Sequence, residues 1–348
     1  MEEGINRRKT EHIRLCLDDN VEGVNKTTGL EGISFIHNAL PEINFSDIKL
    51  DTEFLSKNLR APFLVSSMTG GSELAAKINQ NLALAAEAKG WAIALGSTRA
   101  LLESDAHQES FLIRKQAPSV PLIANIGAVQ FNYGYGAEHC QRIVDLTGAD
   151  SIVLHLNSLQ EVVQDGGDLN FKDLLPKIEK VCKELSVPVG VKEVGFGIDG
   201  TVARQLYDAG ISYIDVAGAG GTSWSQVEKL RSQDELKKGA AEAFNSWGIP
   251  TKDCIVSVKS KLENTPVIAS GGMKTGLDAA KAITLGADIT GFARQLLQAA
   301  TESEEEVMRT MDQIELELKM TMFGIGAQTI KELKDTKRVS IMGTSLLE

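Results

Sequence analysis

Four short apolar runs start thirty residues apart, at positions 61, 91, 121 and 151. They read APFLVSSM (61–68), WAIALGS (91–97), PLIANIGA (121–128) and SIVLHLN (151–157). Four more follow: PVGVKEV (188–194), YIDVA (213–217), PVIASGG (266–272) and DITGFAR (288–294). Between the runs the chain takes helical spacing, as in 74–89 (LAAKINQNLALAAEAK) and 201–209 (TVARQLYDA). A strand apolar on both faces and followed by a helix is the unit of a parallel sheet. Eight such units favour a closed (β/α)8 TIM barrel over an open sheet. The predicted fold is α/β, a single barrel domain over 1–348.

Length agrees with that reading. The 348 residues would suffice for two average domains, but no low-complexity tract or Pro/Gly linker divides them. α/β barrels commonly reach this size. Lys plus Arg number 36 and Asp plus Glu 47, for a formal charge of −11. That argues against a broad polyanion-binding surface and so against nucleic acid as a partner. Aromatics are 5% of the chain, too few for a base-stacking platform. The start, MEEGINRRKTEHIRLCLDD, is charged throughout and has no apolar signal core. The longest uncharged run, 116–137, is broken by Pro, Asn, Gln and Gly and does not read as a membrane span. Cys16, Cys140, Cys182 and Cys254 lie far apart and form no C-x-x-C. They read as reduced thiols of a cytoplasmic protein.

Two segments fall outside the repeat. Residues 1–60 precede the first run and form an N-terminal extension expected to pack over one end of the barrel. Runs six and seven start 53 residues apart, which leaves an insertion at 226–263. Its charged part, 226–239 (QVEKLRSQDELKKG), reads equally as a solvated face or as a lid on the active-site end. Residues 302–320 have the pattern of a terminal amphipathic helix.

The chain carries one G-x-G-x-x-G, Gly195-Phe-Gly-Ile-Asp-Gly200, with Asp215 twenty residues after its first glycine. Alone this is a dinucleotide fingerprint. It sits in the fifth unit rather than the first, follows a strand that ends in charged Lys192 and Glu193, and belongs to eight repeats rather than six. A Gly-rich barrel loop near a ligand fits better. Phosphate chemistry is better placed at Ser270-Gly-Gly-Met-Lys-Thr-Gly276 and at Gly291-Phe-Ala-Arg294, the ends of runs seven and eight. Barrels often seat phosphate there, on backbone N–H groups at a helix start.

The other run ends are polar as well: Ser66 to Gly71, Gly96 to Arg99, Asn125, His155 to Glu161, Lys192, and Gly220 to Thr222. Buried polar groups need partners. Six successive strand ends of this kind point to one large polar ligand, and a phosphorylated ring such as a flavin fits. Such a ring takes amide and backbone bonds along one edge and a cation near N1 and O2, for which Lys192 is the candidate.

These residues carry a resemblance. Arg8-Lys-Thr-Glu-His12, Ser67-Met-Thr-Gly-Gly71, Gly96-Ser-Thr-Arg99 and His155-Leu-Asn-Ser-Leu-Gln-Glu161 resemble motifs of the type 2, FMN-dependent isopentenyl diphosphate isomerases. So do Val191-Lys-Glu-Val-Gly-Phe-Gly197, Ala217-Gly-Ala-Gly-Gly-Thr-Ser-Trp224 and the loop 270–276. The N-terminal R-K-x-x-H and the H-L-N-x-x-Q-E segment are the specific ones, and the similarity extends over nearly the whole chain.

The resemblance implies interconversion of isopentenyl and dimethylallyl diphosphate in isoprenoid biosynthesis, with FMN, Mg2+ and NAD(P)H as reductant. It implies a homo-oligomer, a tetramer or octamer, with no membrane partner. Carried over by position, Ser67, Met68, Thr69, Ser97, Asn125, Lys192 and Thr222 would hold FMN. Gly271, Gly272, Lys274, Ala293 and Arg294 would hold its phosphate. Arg8, Lys9, His12, Ser97, Thr98, Arg99, His155 and Asn157 would bind substrate, with Gln160 at the isoprene end and Glu161 on Mg2+. Gln160 and Lys192 would be the catalytic pair. Lys274 departs from the family's frequent Arg, which keeps charge but loses the bidentate fork.

An allylic proton shift needs a strong acid beside an apolar group, away from water. No paired carboxylates in the sequence offer one, and Gln160 is not an acid. Reduced FMN carries protons at N5 and N1, which accounts for a flavin in a redox-neutral reaction. The rival readings are an FMN-dependent 2-hydroxy acid oxidase or dehydrogenase, an NAD-dependent dehydrogenase, and a non-catalytic flavin-binding protein. The first needs His and Arg after run six, where this chain reads Gly218-Ala-Gly-Gly-Thr-Ser-Trp224.

Overall fold

The computed structural model describes residues 2–18, 21–104 and 108–341. Met1 and 342–348, the ends of the span read as one domain, lie outside the described residues. All eight runs contribute a strand to one closed barrel. The strands are β1 (Phe63–Val65), β2 (Ala92–Ala94), β3 (Leu122–Gly127), β4 (Ser151–His155), β5 (Val189–Lys192), β6 (Tyr213–Asp215), β7 (Val267–Ala269) and β8 (Ile289–Phe292). Neighbours in sequence pair in parallel, and β8 closes on β1 with Gly291 opposite Leu64. The fold is a (β/α)8 barrel with an N-terminal extension and an insertion after β6.

Most ladders stop short of the runs that predicted them. β1 ends at Val65, whereas its run continues to Met68. The apolar part of each run forms the barrel wall, and the polar residues beyond it leave the wall for the rim. Inside the barrel, Leu64, Ile123, Val153, Tyr213, Ile268 and Ile289 form one apolar cluster. Phe54 and Leu59 join it from a hairpin, Thr52–Phe54 with Lys57–Leu59. The Phe54 ring meets Tyr213, the first residue of β6, edge-on at 5.4 Å. The hairpin thus closes the end of the barrel where the strands begin.

Outside the wall, Trp91 is fully buried between Phe63 at 4.5 Å and Phe292 at 5.9 Å. Its indole N–H donates to Glu315 Oε1 at 2.8 Å, so a large ring is buried with its one donor satisfied. Glu315 lies on the terminal helix Glu304–Ile325.

The extension does not sit at one end alone. Helix α1 (Glu2–Asp18) packs at the C-terminal rim against helix Arg294–Glu302 and against α2 (Trp224–Arg231). Its hairpin lies at the opposite end. Residues 33–35 also pair antiparallel with 339–341, a strand the sequence reading did not contain. Between β6 and β7 the charged stretch forms α2 and helix Glu235–Glu242. Helix Thr251–Lys261 then covers the barrel wall against helix Gly200–Asp208 and β7.

Candidate active site

A cavity of about 670 Å³ opens at the C-terminal ends of the strands. Every strand end lines it, and α1 adds Arg8, Lys9 and His12. Each predicted site residue faces it except Thr98. Thr98 is fully buried and its hydroxyl donates to the Asn125 carbonyl at 2.6 Å, so it braces the rim from behind. Thr98, expected to contact substrate, does not line the cavity, whereas its neighbours Ser97 and Arg99 do.

One side of the cavity is built from strand ends. The hydroxyls of Ser66, Ser67 and Thr69 are buried there without a hydrogen-bond partner. Each unpaired group costs about 1–3 kcal/mol, so this edge is shaped for a polar ligand. Met68 and Thr222 line the same side. The Asn125 amide donates to the Leu95 carbonyl at 3.1 Å, which turns its oxygen toward His155. The Lys192 ammonium donates to the Glu193 carbonyl at 2.5 Å. Lys192 lies in register with Asp215 on β6, and Asp215 accepts from the Ser270 hydroxyl at 2.6 Å. Burial raises the Asp215 carboxyl, and the nearby Lys192 charge opposes the rise.

The loop after β7 admits only glycine at two places. Gly271 and Gly272 have φ of +99° and +73°. A Cβ there would stand 2.1 Å from the Gly218 carbonyl oxygen and 2.4 Å from that of Gly220. Beyond them Thr275 caps helix Gly276–Thr284. Lys274 reaches Glu22 Oε1 at 3.0 Å, and Arg294, just after Ala293, reaches the same oxygen at 3.4 Å. Two cations from two different loops thus converge on one anion.

The other side is built from α1, α2 and helix α3 (Ser158–Val163). Lys9 is driven down to about 8, first by burial and then by the charges of Arg8 and Arg99. Burial likewise lowers Arg8, whose Nε is buried without a partner. Arg99 is held by Glu103 and Asp168, each at 3.2 Å. Burial and the charges of Lys192 and Lys9 push His155 down to about 3, so its ring is neutral. Its Nδ1 faces the Asn125 side-chain oxygen at 2.8 Å, which makes Nδ1–H the donor and leaves Nε2 an acceptor. The ring's one N–H is thus committed to Asn125, and His155 is not the cation that the expected diphosphate contact called for.

Asn157 donates to Glu161 at 2.8 Å and to the Gln160 oxygen at 3.3 Å, and its own oxygen is buried without a partner. Glu161 also accepts from the Asp168 amide at 2.7 Å. Burial raises its carboxyl, and a cation beside it would oppose that rise. Among the described residues no three His, Cys, Asp or Glu side chains cluster as a metal site.

The sequence reading missed the residues that tie this side together. Glu228, with no exposed side-chain surface, accepts from His12 at 3.0 Å, Gln160 at 3.1 Å and Arg231 at 2.5 Å. Burial opposes its charge, but His12, Arg231 and Gln160 outweigh it and hold the carboxyl near 2. Burial keeps His12 below its ordinary value, hence a neutral donor. Glu228 and Arg231 stood in the charged stretch read as solvated or lid-like. Their i, i+3 spacing after Trp224 was the available signal.

The G-x-G-x-x-G loop is closed to a phosphate. The Glu193 carboxylate accepts from the backbone N–H groups of Val194 at 2.6 Å, Gly195 at 2.8 Å and Phe196 at 2.5 Å. A Cβ on Gly197 or Gly200 would meet Cys254 Sγ at 2.5 Å or the Ser257 carbonyl at 2.2 Å. These glycines serve close packing against helix Thr251–Lys261, and the Glu193 carboxyl already fills the N–H groups of the loop.

The model of the FMN-dependent dehydrogenase family matches residues 156–340. A lactate oxidase from Pediococcus acidilactici superposes with a TM-score of 0.71 at 15% identity, over 99% of this chain and 95% of that one. A flavocytochrome b2 variant with bound pyruvate gives 0.66 at 17% identity, over 91% and 78%. These set the chain in the class of FMN-dependent α/β barrels, and the unpaired hydroxyls of Ser66 to Thr69 and the glycine cradle suit that group. Isopentenyl-diphosphate delta-isomerase of Oceanobacillus iheyensis is 78% identical over the full length of both chains. Its counterparts in Rickettsia bellii and Nostoc are 49% and 48% identical, over 94% of this chain and 96% and 93% of theirs. The chain belongs to the isopentenyl-diphosphate delta-isomerase family.

Proposed function

We propose that this protein interconverts isopentenyl and dimethylallyl diphosphate with reduced FMN as cofactor. The observation that carries the reading is the division of the cavity. Unpaired hydroxyls and a glycine cradle line one side, and the half-buried cations Arg8 and Lys9 line the other. A ring with a phosphate suits the first and a diphosphate the second.

Ser67, Met68, Thr69, Ser97, Asn125 and Thr222 hold the flavin ring in this reading. Gly271, Gly272, Lys274, Ala293 and Arg294 hold its phosphate. Lys192, fixed by the Glu193 carbonyl, would supply the positive charge that stabilises the reduced ring. When bound and reduced, FMN supplies the exchangeable protons that no side chain here supplies.

Arg8 and Lys9 anchor the diphosphate through charge-assisted bonds, with Arg99, Asn157 and neutral His155 beside them. Glu161 would hold Mg2+ against the diphosphate, a hard cation suited to carboxylate and phosphate oxygens. Gln160 stands at the isoprene end with its amide oriented from both sides, donating to Glu228 and accepting from Asn157. Helix α1 covers the cavity and keeps water from the alkene. NAD(P)H is the external reductant. The protein works in the cytoplasm as a tetramer or octamer; among the described residues no helix is long and apolar enough to cross a membrane.

The test is an anaerobic assay with isopentenyl diphosphate, Mg2+ and either dithionite-reduced or oxidised FMN. Dimethylallyl diphosphate formed only with reduced FMN supports the reading. Tight flavin binding with no product under either condition overturns it.

A further inference from the structure

Two of the cations that face the diphosphate side, Arg8 and Lys9, come from α1, which belongs to the extension rather than to the barrel. Something must set that helix at the height and rotation that bring Arg8, Lys9 and His12 over the cavity. Packing alone specifies rotation poorly, whereas a fixed ion pair specifies it well.

Arg231, the last residue of α2, bonds to both sides of the boundary. Its Nε meets Glu11 Oε2 on α1 at 3.2 Å, and its Nη1 meets Glu228 Oε2 at 2.5 Å. Glu228 in turn receives His12 of α1 and Gln160 of α3 on its other oxygen. The Arg231 side chain is only 16% exposed and Glu228 is fully buried, so solvent screens that pair weakly, whereas Glu11 is half-buried. The guanidinium thus joins the extension to the insertion, and through Glu228 to the helix that carries Gln160 and Glu161. Lysine presents a single point charge and would not span two carboxylates with fixed geometry.

We infer that Arg231 is a positioning residue that locks α1 over the cavity and so sets the diphosphate-binding cations against Gln160. The insertion after β6 is then the dock for the N-terminal helix. The inference rests on the isomerase reading for its kinetic consequence, but the lock itself is measurable without turnover. Arg231 has no place on the flavin side, which is built from the barrel rim.

The experiment compares wild type, Arg231→Ala and Arg231→Lys as full chains. It reads FMN affinity by fluorescence quenching, KM and kcat for isopentenyl diphosphate, and the rate of trypsin cleavage within α1 by mass of the products. Loss of a charge-assisted pair on this scale raises KM and the cleavage rate of Arg231→Ala by about tenfold, with kcat and FMN affinity changed less than about threefold. Arg231→Lys recovers part of both losses. Unchanged cleavage and KM in Arg231→Ala would overturn the inference. So would an equal loss of FMN affinity, because that marks a general structural defect. If wild type turns over no isopentenyl diphosphate while Arg231→Ala still exposes α1, the lock stands and the isomerase reading falls.

Discussion

The two sides of the cavity are built by different means. The flavin side is made of chain that has nowhere else to go. Its hydroxyls and amides follow directly from barrel strands, and its phosphate loop is shaped by carbonyl oxygens 2.1 and 2.4 Å from where a Cβ would stand. The diphosphate side is assembled across the sequence, with α1, α2 and α3 meeting through one buried carboxylate. The first side is specified by backbone and tolerates little change. The second is specified by charge pairs and can be taken apart one residue at a time with the flavin still bound.

Changes that separate the two sides sharpen this contrast. The largest effect is expected at the backbone. Gly271→Ala puts a methyl onto the Gly218 carbonyl at a positive φ, and FMN affinity should fall by about 100-fold or more. The flavin-to-protein ratio after gel filtration reads it, and normal retention would break the claim that this side is preformed. Next comes the junction. Glu228→Ala leaves Arg231 without its buried partner and frees His12 and Gln160, so kcat/KM should drop by about 100-fold. FMN titration of the same variant should match wild type; a parallel loss of flavin would merge the two sides.

Arg8→Ala removes one cation from the diphosphate side. KM should rise by about 10–100-fold with flavin content unchanged. A smaller effect comes from pH. Lys9 sits near 8, charged below that value and neutral above it. KM should therefore be flat below pH 7 and climb by about three- to tenfold by pH 9, and Lys9→Arg should flatten the profile. A flat profile in wild type would mean that Lys9 does not carry the anion. The smallest change is Lys274→Arg, which restores a fork at the phosphate loop and should tighten FMN by about two- to threefold.

The contrast also explains what the sequence made legible. Each barrel strand lies within its predicted run because β-branched and small apolar residues repeat with the units. The flavin side was readable for the same reason: its residues are the polar tails of those runs, and the ladder stops where the tail begins, as at Val65 before Ser66. The diphosphate side had no such period. Arg8 and Lys9 stand in a stretch that is charged throughout, and only the resemblance singled them out. Glu228 and Arg231 looked like part of a charged surface, because their burial depends on a helix more than two hundred residues away. Glu193 was read as a charge out of place, and only the loop it caps explains it. Thr98 was read one step too far, since alternation along the rim turns it behind the wall.

The hairpin that sets Phe54 on Tyr213 has a kinetic consequence. With the strand-start end of the barrel stoppered, the cavity opens where the strands end and forms a well beneath α1. A well of two occupants fills and empties in a fixed order, the deeper one first in and last out. The cofactor's residence time should then lengthen whenever the shallower site beneath α1 is occupied, so that substrate acts as a cork on the flavin.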